Sequence, residues 1–225
     1  MKKFMLASAA FYAMTVAAHA ADVAPVVMDQ KDWFVKVGVS GIFFEPGLSN
    51  VTLGGAPFGG TAGANIGNNV TGSMELGRFI TKNIALTIEG GIPPTTTFTG
   101  TGAFAGLGTV ATATYGFAAA GVEVHPIRDG QLDPYIDGGV AYNILFSVTP
   151  GPAVANLSIP NSFGGYVGAG LGMKLKDNWG MYISAKQFFL STNISGNIIP
   201  LGGAPVTATA QLNPFVVSAG LSYNF

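Results

Sequence analysis

The residues that could carry catalysis or bind a metal are few and scattered along the chain. His125 is the single histidine beyond the first twenty residues, and it stands beside Pro126 at a predicted strand end. A hydrolase needs a base beside a nucleophile and donors for the developing charge, and a metal site needs several ligands together. The sequence gives His125 no such neighbours. We therefore predict a turn or interface residue there, with no catalytic residue, no metal site, no cofactor and no enzyme activity.

A glycine-rich segment at 165–172 raises the possibility of phosphate binding. It lacks the G-x-G-x-x-G spacing followed by a helix, and no P-loop lysine follows it. Glycine at alternate positions instead leaves one face of a strand without bulky side chains. The formal net charge of −1 excludes the basic character expected of a nucleic-acid-binding protein.

Seven charged residues share one pattern. Each lies on a different predicted strand, on the face opposite to that strand's apolar residues. They are Lys36, Glu75, Glu89, Glu123, Asp137, Lys174 and Lys186. If the strands close into a narrow barrel, these side chains meet in its lumen, where unpaired charge is costly. The pattern predicts an ion-paired floor, with an ion-selectivity ring as the alternative.

Above these charges the same strand faces carry apolar and aromatic side chains. No charge occurs in 46–74, 90–122, 138–173 or 187–225. The candidate upper lumen residues are Ile42, Phe44, Tyr115, Phe117 and Tyr166. An apolar lumen of this kind suits capture of a hydrophobic molecule. The alternative is that these side chains only fill the barrel, or belong to an interfacial girdle after a bulge.

Alternation of side chains indicates the elements that position these residues. In 215–225 the odd positions are apolar or aromatic and the even positions from 218 onward are small or polar, as a strand facing lipid on one side requires. Similar alternation predicts eight strands at roughly 33–44, 70–79, 83–92, 111–125, 134–146, 163–175, 179–190 and 213–225.

The connections between these strands alternate in length. Three are short, at 80–82, 126–133 and 176–178, and four are long, at 45–69, 93–110, 147–162 and 191–212. An even number of strands with this asymmetry is typical of bacterial outer-membrane barrels. Only 9% of the residues are charged, which disfavours a soluble β-sandwich. We predict an all-β, eight-stranded antiparallel transmembrane up-and-down β-barrel with short periplasmic turns and long extracellular loops.

The first twenty residues form a separate segment. Lys2 and Lys3 precede an uncharged apolar stretch, and Ala18-His19-Ala20 fits a small-residue cleavage site. We predict a cleaved signal peptide at 1–20, a barrel at 21–225, and a periplasmic tail at 21–32. The chain has no cysteine, so no disulfide supports the fold after export.

Several short motifs together resemble the outer membrane protein W (OmpW) family of small bacterial barrels. They are Trp33, Asn83-Ile84, Pro134 to Gly139, Ser162 to Gly164, Lys176 to Trp179, and Asn213 to Phe225. The resemblance implies passive passage of small hydrophobic molecules through a lumen that opens sideways into lipid. It also implies that the closing Leu221, Tyr223 and Phe225 form a signal for the outer-membrane assembly machinery. The long connections are unusually rich in Gly, Ala and Thr, so they do not identify a specific ligand.

Three functions follow from these features. The first is passage of small hydrophobic solutes across the outer membrane. The second is a structural or surface-interaction barrel whose long loops bind other components, and the third is a narrow ion pore. The expected partners are outer-membrane lipids, the assembly machinery and small hydrophobic solutes, with no nucleic acid; the oligomeric state is left open.

Overall fold

A computed structural model describes residues 32–225, and these residues are almost entirely β-structure. The fourteen strands are β1 (Trp33–Phe43), β2 (Gly47–Leu53), β3 (Ala56–Pro57), β4 (Ala62–Ile66), β5 (Asn69–Phe79), β6 (Ile84–Gly91), β7 (Thr95–Gly102), β8 (Thr109–Val124), β9 (Leu132–Pro150), β10 (Val154–Ser158), β11 (Ser162–Lys174), β12 (Trp179–Ile198), β13 (Ala204–Gln211) and β14 (Phe215–Asn224). Two 3-10 turns occur at Ala105–Leu107 and Ile199–Leu201. The predicted signal peptide and nearly all of the predicted tail lie outside the described residues.

Eight of these strands form a closed antiparallel ring. Its order is β1, β5, β6, β8, β9, β11, β12 and β14, and β14 pairs back onto β1 from Phe34 opposite Asn224 to Phe43 opposite Phe215. Closure satisfies the backbone groups of both edges, which a sheet in lipid requires. The predicted eight-stranded barrel is confirmed. No helix in the part of the chain that the structure describes is long and apolar enough to span a membrane.

Tight turns join the strands at the periplasmic end of the barrel. Between β11 and β12 the chain reverses through Asp177 and Asn178, with φ of 57° and 69°. These two residue types tolerate the left-handed backbone region better than other non-glycine residues. The short Lys176 to Asn178 connection therefore has the local chemistry that its turn requires.

The long extracellular connections contain further strands that the alternation did not predict. Strands β2, β3, β4, β7, β10 and β13 lie there, and β12 continues past the barrel to pair with β13 over eight residues. Their Gly, Ala and Thr content resembles loop composition, yet Thr is well suited to strands. The barrel is therefore extended outward by sheets rather than capped by irregular loops.

The two faces of the barrel wall differ as the predicted parity requires. Outward side chains in the middle of the wall are large, apolar and exposed, for example Val39, Ile88, Val167 and Ile183. Inside, an apolar cluster fills the upper part, and a smaller cluster of Phe34, Phe79 and Ala85 lies near the periplasmic end. The outward apolar band is suited to lipid, because its side chains contact acyl chains there and are not exposed to water.

One glycine in this lower cluster is required by close packing. A Cβ built on Gly77 would lie 2.0 Å from Cζ of Phe34. The Phe34 ring therefore packs directly on the backbone of β5, and only glycine leaves room for it. This contact fixes the aromatic layer beneath the charged residues.

Candidate functional site

A network of buried ion pairs crosses the lumen in the middle of the barrel. Lys36 Nζ lies 2.7 Å from Glu75 Oε1 and 2.7 Å from Glu123 Oε1. Lys186 Nζ lies 2.9 Å from Glu75 Oε2, 2.8 Å from Glu89 and 2.9 Å from Asp137. Glu75 therefore links the two lysines. We call these six residues the charged floor.

The floor unites six of the seven charged residues selected from the sequence. The seventh, Lys174, does not join them. Its ammonium group donates to the backbone carbonyl of Arg128 at the periplasmic mouth. Lys174 shares the inward parity of the others but stands lower in the barrel, because strands are tilted and staggered around a barrel.

His125 lies directly below the floor and extends it toward the periplasm. The side chain is 3% exposed, with Nδ1 2.8 Å from Asp133 Oδ1 and Nε2 3.1 Å from Glu123 Oε2. His125 was predicted to be an interfacial or turn residue, and it directly follows the last residue of β8; its burial and its two carboxylate partners were not predicted. His125 continues the inward parity of Glu123, and that was the signal in the sequence that pointed to it.

Aromatic and basic side chains close the barrel beneath the floor. The Arg128 guanidinium stands 3.4 Å from the centroid of the Phe79 ring, and Arg128 is buried. The His125 ring stacks on Tyr135 with centroids 5.2 Å apart. These side chains narrow the lumen below the floor, and a second cavity, lined in part by Phe34, Asp133 and Lys174, opens at the periplasmic mouth.

The two contacts of His125 predict a pH-dependent contribution to stability. His125 lies in the periplasmic turn after β8, outside the spanning strands. Burial alone would lower its pKa, but the hydrogen bonds to Asp133 and Glu123 outweigh burial and raise the pKa above its usual value. A group whose pKa is higher in the folded state than in the unfolded state stabilises the fold fully at pH values below its unfolded pKa. That contribution is lost as the pH rises through the folded pKa.

We expect His125→Gln to reduce the free energy of unfolding by about 2–3 kcal/mol near pH 6, since a hydrogen bond to a charged group contributes that much. The difference between the two proteins should shrink as pH is raised. Denaturant unfolding in detergent at several pH values measures both. A constant difference from acidic to alkaline pH would contradict the assignment of a protonated His125.

An apolar cavity occupies the lumen above the floor and the extracellular extension above the lumen. Its empty space, including the part open to solvent, is about 950 Å³. Side chains from the barrel and from the extension line it together, among them Ile42, Phe44, Tyr115, Phe117, Leu48, Ile66, Phe98, Leu145, Leu190, Ile194 and Leu212. Its few polar lining residues include Asn143, Thr96 and Thr192. This cavity is suited to an uncharged apolar molecule.

Four of the five apolar lumen residues selected from the sequence line this cavity, and the fifth lies below it. The Phe44 ring meets the Tyr115 ring edge-on with centroids 5.7 Å apart. Tyr166 instead stacks beneath Phe188, with ring centroids 5.3 Å apart, and Lys186 Nζ lies 5.2 Å from the centroid of the Tyr166 ring. Tyr166 and Phe188 therefore separate the apolar cavity from the charged floor.

The barrel wall beside the cavity is interrupted between β6 and β8. The two strands are paired up to Gly90 opposite Ala118, and pairing resumes between β7 and β8 at Thr95 opposite Thr114. Between these points a single backbone hydrogen bond, from the Tyr115 N–H to the Pro94 carbonyl, joins the two sides. The intervening segment contains Pro93 and Pro94, which have no amide hydrogen to donate to a ladder. An apolar groove on the outer wall, lined in part by Gly90 and Ala118, lies next to this interruption.

The family model for the OmpW family matches residues 29–225 of the chain. The chain belongs to the OmpW family. Outer membrane protein AlkL of Ectopseudomonas oleovorans is 27% identical over 197 residues, which cover 88% of this chain and 84% of AlkL. The dibenzothiophene metabolism operon protein PahQ of Pseudomonas aeruginosa is 24% identical over 209 residues, covering 89% of this chain and 92% of PahQ.

Solved structures agree with this assignment. The crystal structure of the outer membrane protein OprG from Pseudomonas aeruginosa superposes with a TM-score of 0.80 at 16% identity, covering 87% of this chain and 96% of OprG. The solid-state NMR structure of outer membrane protein AlkL in lipid bilayers gives a TM-score of 0.68 at 26% identity, covering 90% of this chain and 94% of AlkL. The first comparison supports the barrel fold, and the second supports fold and family together.

The carboxyl-terminal strand of this OmpW-family barrel presents its alternate residues outward. Leu221 and Phe225 are each half exposed, and the Tyr223 ring packs on Trp179 with centroids 5.0 Å apart. The three residues selected as an assembly signal thus lie on one outward stripe at the periplasmic end.

Proposed function

We propose that this OmpW-family barrel, located in the outer membrane, carries small apolar molecules from the outside into its cavity and releases them sideways into the membrane. The observation that carries the proposal is the position of the cavity. It is apolar, it opens toward the extracellular extension, and it ends on a layer of ion pairs that fills the lumen. A solute that enters from outside has no straight path to the periplasm.

The lining favours solutes without charge and with few polar groups. Side chains such as Ile42, Leu145 and Leu190 offer no hydrogen-bond partner to a polar solute. Moving an unpaired polar group out of water into such surroundings costs roughly 2–7 kcal/mol, and a charged group costs more. The same cost, together with the floor, argues against an ion pore.

The interruption between β6 and β8 supplies the route out of the cavity. Phe117 lines the cavity next to the interruption, while Ala118 and Gly90 face the groove on the outer wall. A molecule passing between Pro93 and β8 would leave one apolar surface for another. It would therefore reach lipid without crossing the charged floor.

The relatives support the class of solute. PahQ is named for an operon of dibenzothiophene metabolism, and dibenzothiophene is an apolar aromatic compound. The OmpW-family match and the AlkL structure place the chain among outer-membrane barrels, which supports a role in passage rather than in catalysis.

We further propose that Leu221, Tyr223 and Phe225 are read by the outer-membrane assembly machinery.

The double substitution of Pro93→Val and Pro94→Val tests the sideways route. Each valine restores an amide hydrogen and favours strand conformation, so β6 and β8 should pair through the interruption. We expect uptake of dibenzothiophene into liposomes containing the variant to fall at least about fivefold. Fluorescence of the solute inside the vesicles measures this uptake.

Pro205→Val is the matched control, because Pro205 is an exposed proline of β13 in the extracellular extension. It should leave uptake unchanged. Equal uptake by the wild-type protein and the Pro93 and Pro94 double variant would rule out this route. The barrel could then still take up solute, so the result would separate the route from the function.

A further inference from the structure

We propose that the outward face of the extracellular sheet formed by β4, β7, β8 and β9 binds uncharged sugars in the head groups of outer-leaflet glycolipid. The proposal is independent of the cavity and of what passes through it. It rests on the side-chain chemistry of this face, on its regular geometry, and on its height relative to the lipid-facing band.

Pairing between the strands places hydroxyl groups in rows across this face. Thr97 stands opposite Thr112, which stands opposite Thr149. Two residues further down the strands, the next row is Thr95, Thr114 and Ser147, and the row on the other side is Asn65, Thr99 and Thr109. Neighbouring strands in a sheet lie about 4.8 Å apart, and residues two positions apart on a strand lie about 7 Å apart. The first two rows therefore form a regular lattice, and the third lies beyond a register shift between Phe98 and Thr99. We call the three rows together the hydroxyl face.

Most side chains of the hydroxyl face remain accessible, and the Thr95 and Thr114 hydroxyl oxygens hydrogen-bond each other 2.8 Å apart. Thr95, Thr97, Ser147 and Thr149 are exposed, and Thr112 is half-buried. Each threonine presents a methyl group and a hydroxyl group side by side. A sugar ring has the same combination of apolar CH groups and hydroxyl groups on its surface. Because the strands already hold the side chains in place, binding a sugar would order few additional groups.

The charge of the hydroxyl face selects an uncharged partner. No Asp, Glu, Lys or Arg occurs in 46–74 or 90–122, although about a quarter of the residues in ordinary soluble domains are charged. The face offers no cation to a phosphate group and no carboxylate to a bound metal ion. Hydrogen bonding to neutral hydroxyl groups is the interaction that its side chains can make.

The height of the hydroxyl face favours membrane lipid over soluble glycan as the source of the sugar. Directly below its lowest row the wall becomes apolar, with Ile92 69% exposed and Phe146 59% exposed. Ile92 belongs to the segment before Thr95, and Phe146 precedes Ser147. Lipids whose acyl chains pack on this band place their head groups at the level of the threonine rows.

A triple substitution of Thr97→Val, Thr112→Val and Thr149→Val tests the proposal. Valine keeps the β-branched shape and removes the hydroxyl groups. The probe is a diacylglycerol lipid with an uncharged digalactosyl head group, mixed into nanodiscs that contain the barrel, and native mass spectrometry counts the retained molecules. We expect retention by the variant to fall at least about tenfold, since three hydroxyl groups that could hydrogen-bond to the sugar are lost.

The matched control replaces the same three threonines by serine, which keeps the hydroxyl groups, and it should retain the digalactosyl lipid. Phosphatidylglycerol, which carries no sugar, should be retained equally weakly by all three proteins. Equal retention of the digalactosyl lipid by the valine variant would overturn the proposal. Retention of phosphatidylglycerol as strong as that of the digalactosyl lipid would overturn it by showing that phosphate or acyl chains are recognised, and tight binding of free digalactose would overturn it by showing a soluble partner.

Discussion

Replacing Lys186 with methionine is expected to destabilise the barrel more than any other single change in the lumen. The substitution keeps a long apolar stem but removes the ammonium group that faces Glu75, Glu89 and Asp137 within 2.9 Å. Breaking a buried ion pair by removing one partner costs roughly 3–5 kcal/mol, because the remaining charge is left uncompensated. Glu89 and Asp137 lose their lysine partner and Glu75 keeps only Lys36, so we expect a loss at the upper end of that range. Urea unfolding of the refolded protein in detergent measures it.

Lys176→Met is the matched control for this prediction. Lys176 lies in the turn between β11 and β12 with its side chain 91% exposed. Exposed ion pairs contribute little, so the control should change the free energy of unfolding by less than about 1 kcal/mol. A Lys186→Met barrel as stable as the control would show that the floor does not depend on charge pairing.

The second large effect is expected from a charge placed in the cavity. Phe117→Asp introduces a carboxylate where Phe117 packs on Phe188, with ring centroids 5.0 Å apart. The carboxylate must be hydrated, so water enters the cavity and an apolar solute gains less by leaving water. We expect uptake of dibenzothiophene into liposomes to fall at least about tenfold. A tenfold fall corresponds to about 1.4 kcal/mol of weaker binding or of a higher barrier to passage.

Two controls separate this effect from loss of folding and from surface charge. Phe117→Leu keeps the cavity apolar and should retain most of the uptake. Ala105→Asp adds the same charge at an exposed extracellular position outside the cavity lining. If Phe117→Asp folds and still takes up solute at the wild-type rate, the cavity is not on the path.

Parity along the strands predicted the barrel and most of its interior. The alternation that makes Val39 outward also makes Lys36 inward, and the period of two leaves no other arrangement once one face meets lipid. Parity gives the side of the wall on which a residue lies. It does not give height, which depends on the tilt and stagger of neighbouring strands, and so Lys174 was grouped with a floor it does not join.

Two other features lay beyond what the sequence pattern could show. His125 follows the last strand residue, and burial of a turn residue depends on how neighbouring turns fold over the barrel end. The extracellular strands were hidden by composition, since Gly, Pro, Thr and Asn favour loops as a group although threonine pairs favour sheets. The upper cavity wall, including Ile66 and Phe98, belongs to those strands and was missed with them.

Photolabelling with an apolar diazirine probe in proteoliposomes distinguishes a sideways exit from a path through the floor. We expect the probe to label Ile42, Phe117 and Leu145 in the cavity, and then Gly90 and Ala118 on the outer wall. We expect no label on Tyr135, which is buried with its ring centroid 4.0 Å from Lys36 Nζ and lines neither the apolar cavity nor the cavity at the periplasmic mouth. Labelling of Tyr135 would show that solute passes straight through the floor, and would contradict a closed lumen with a sideways route.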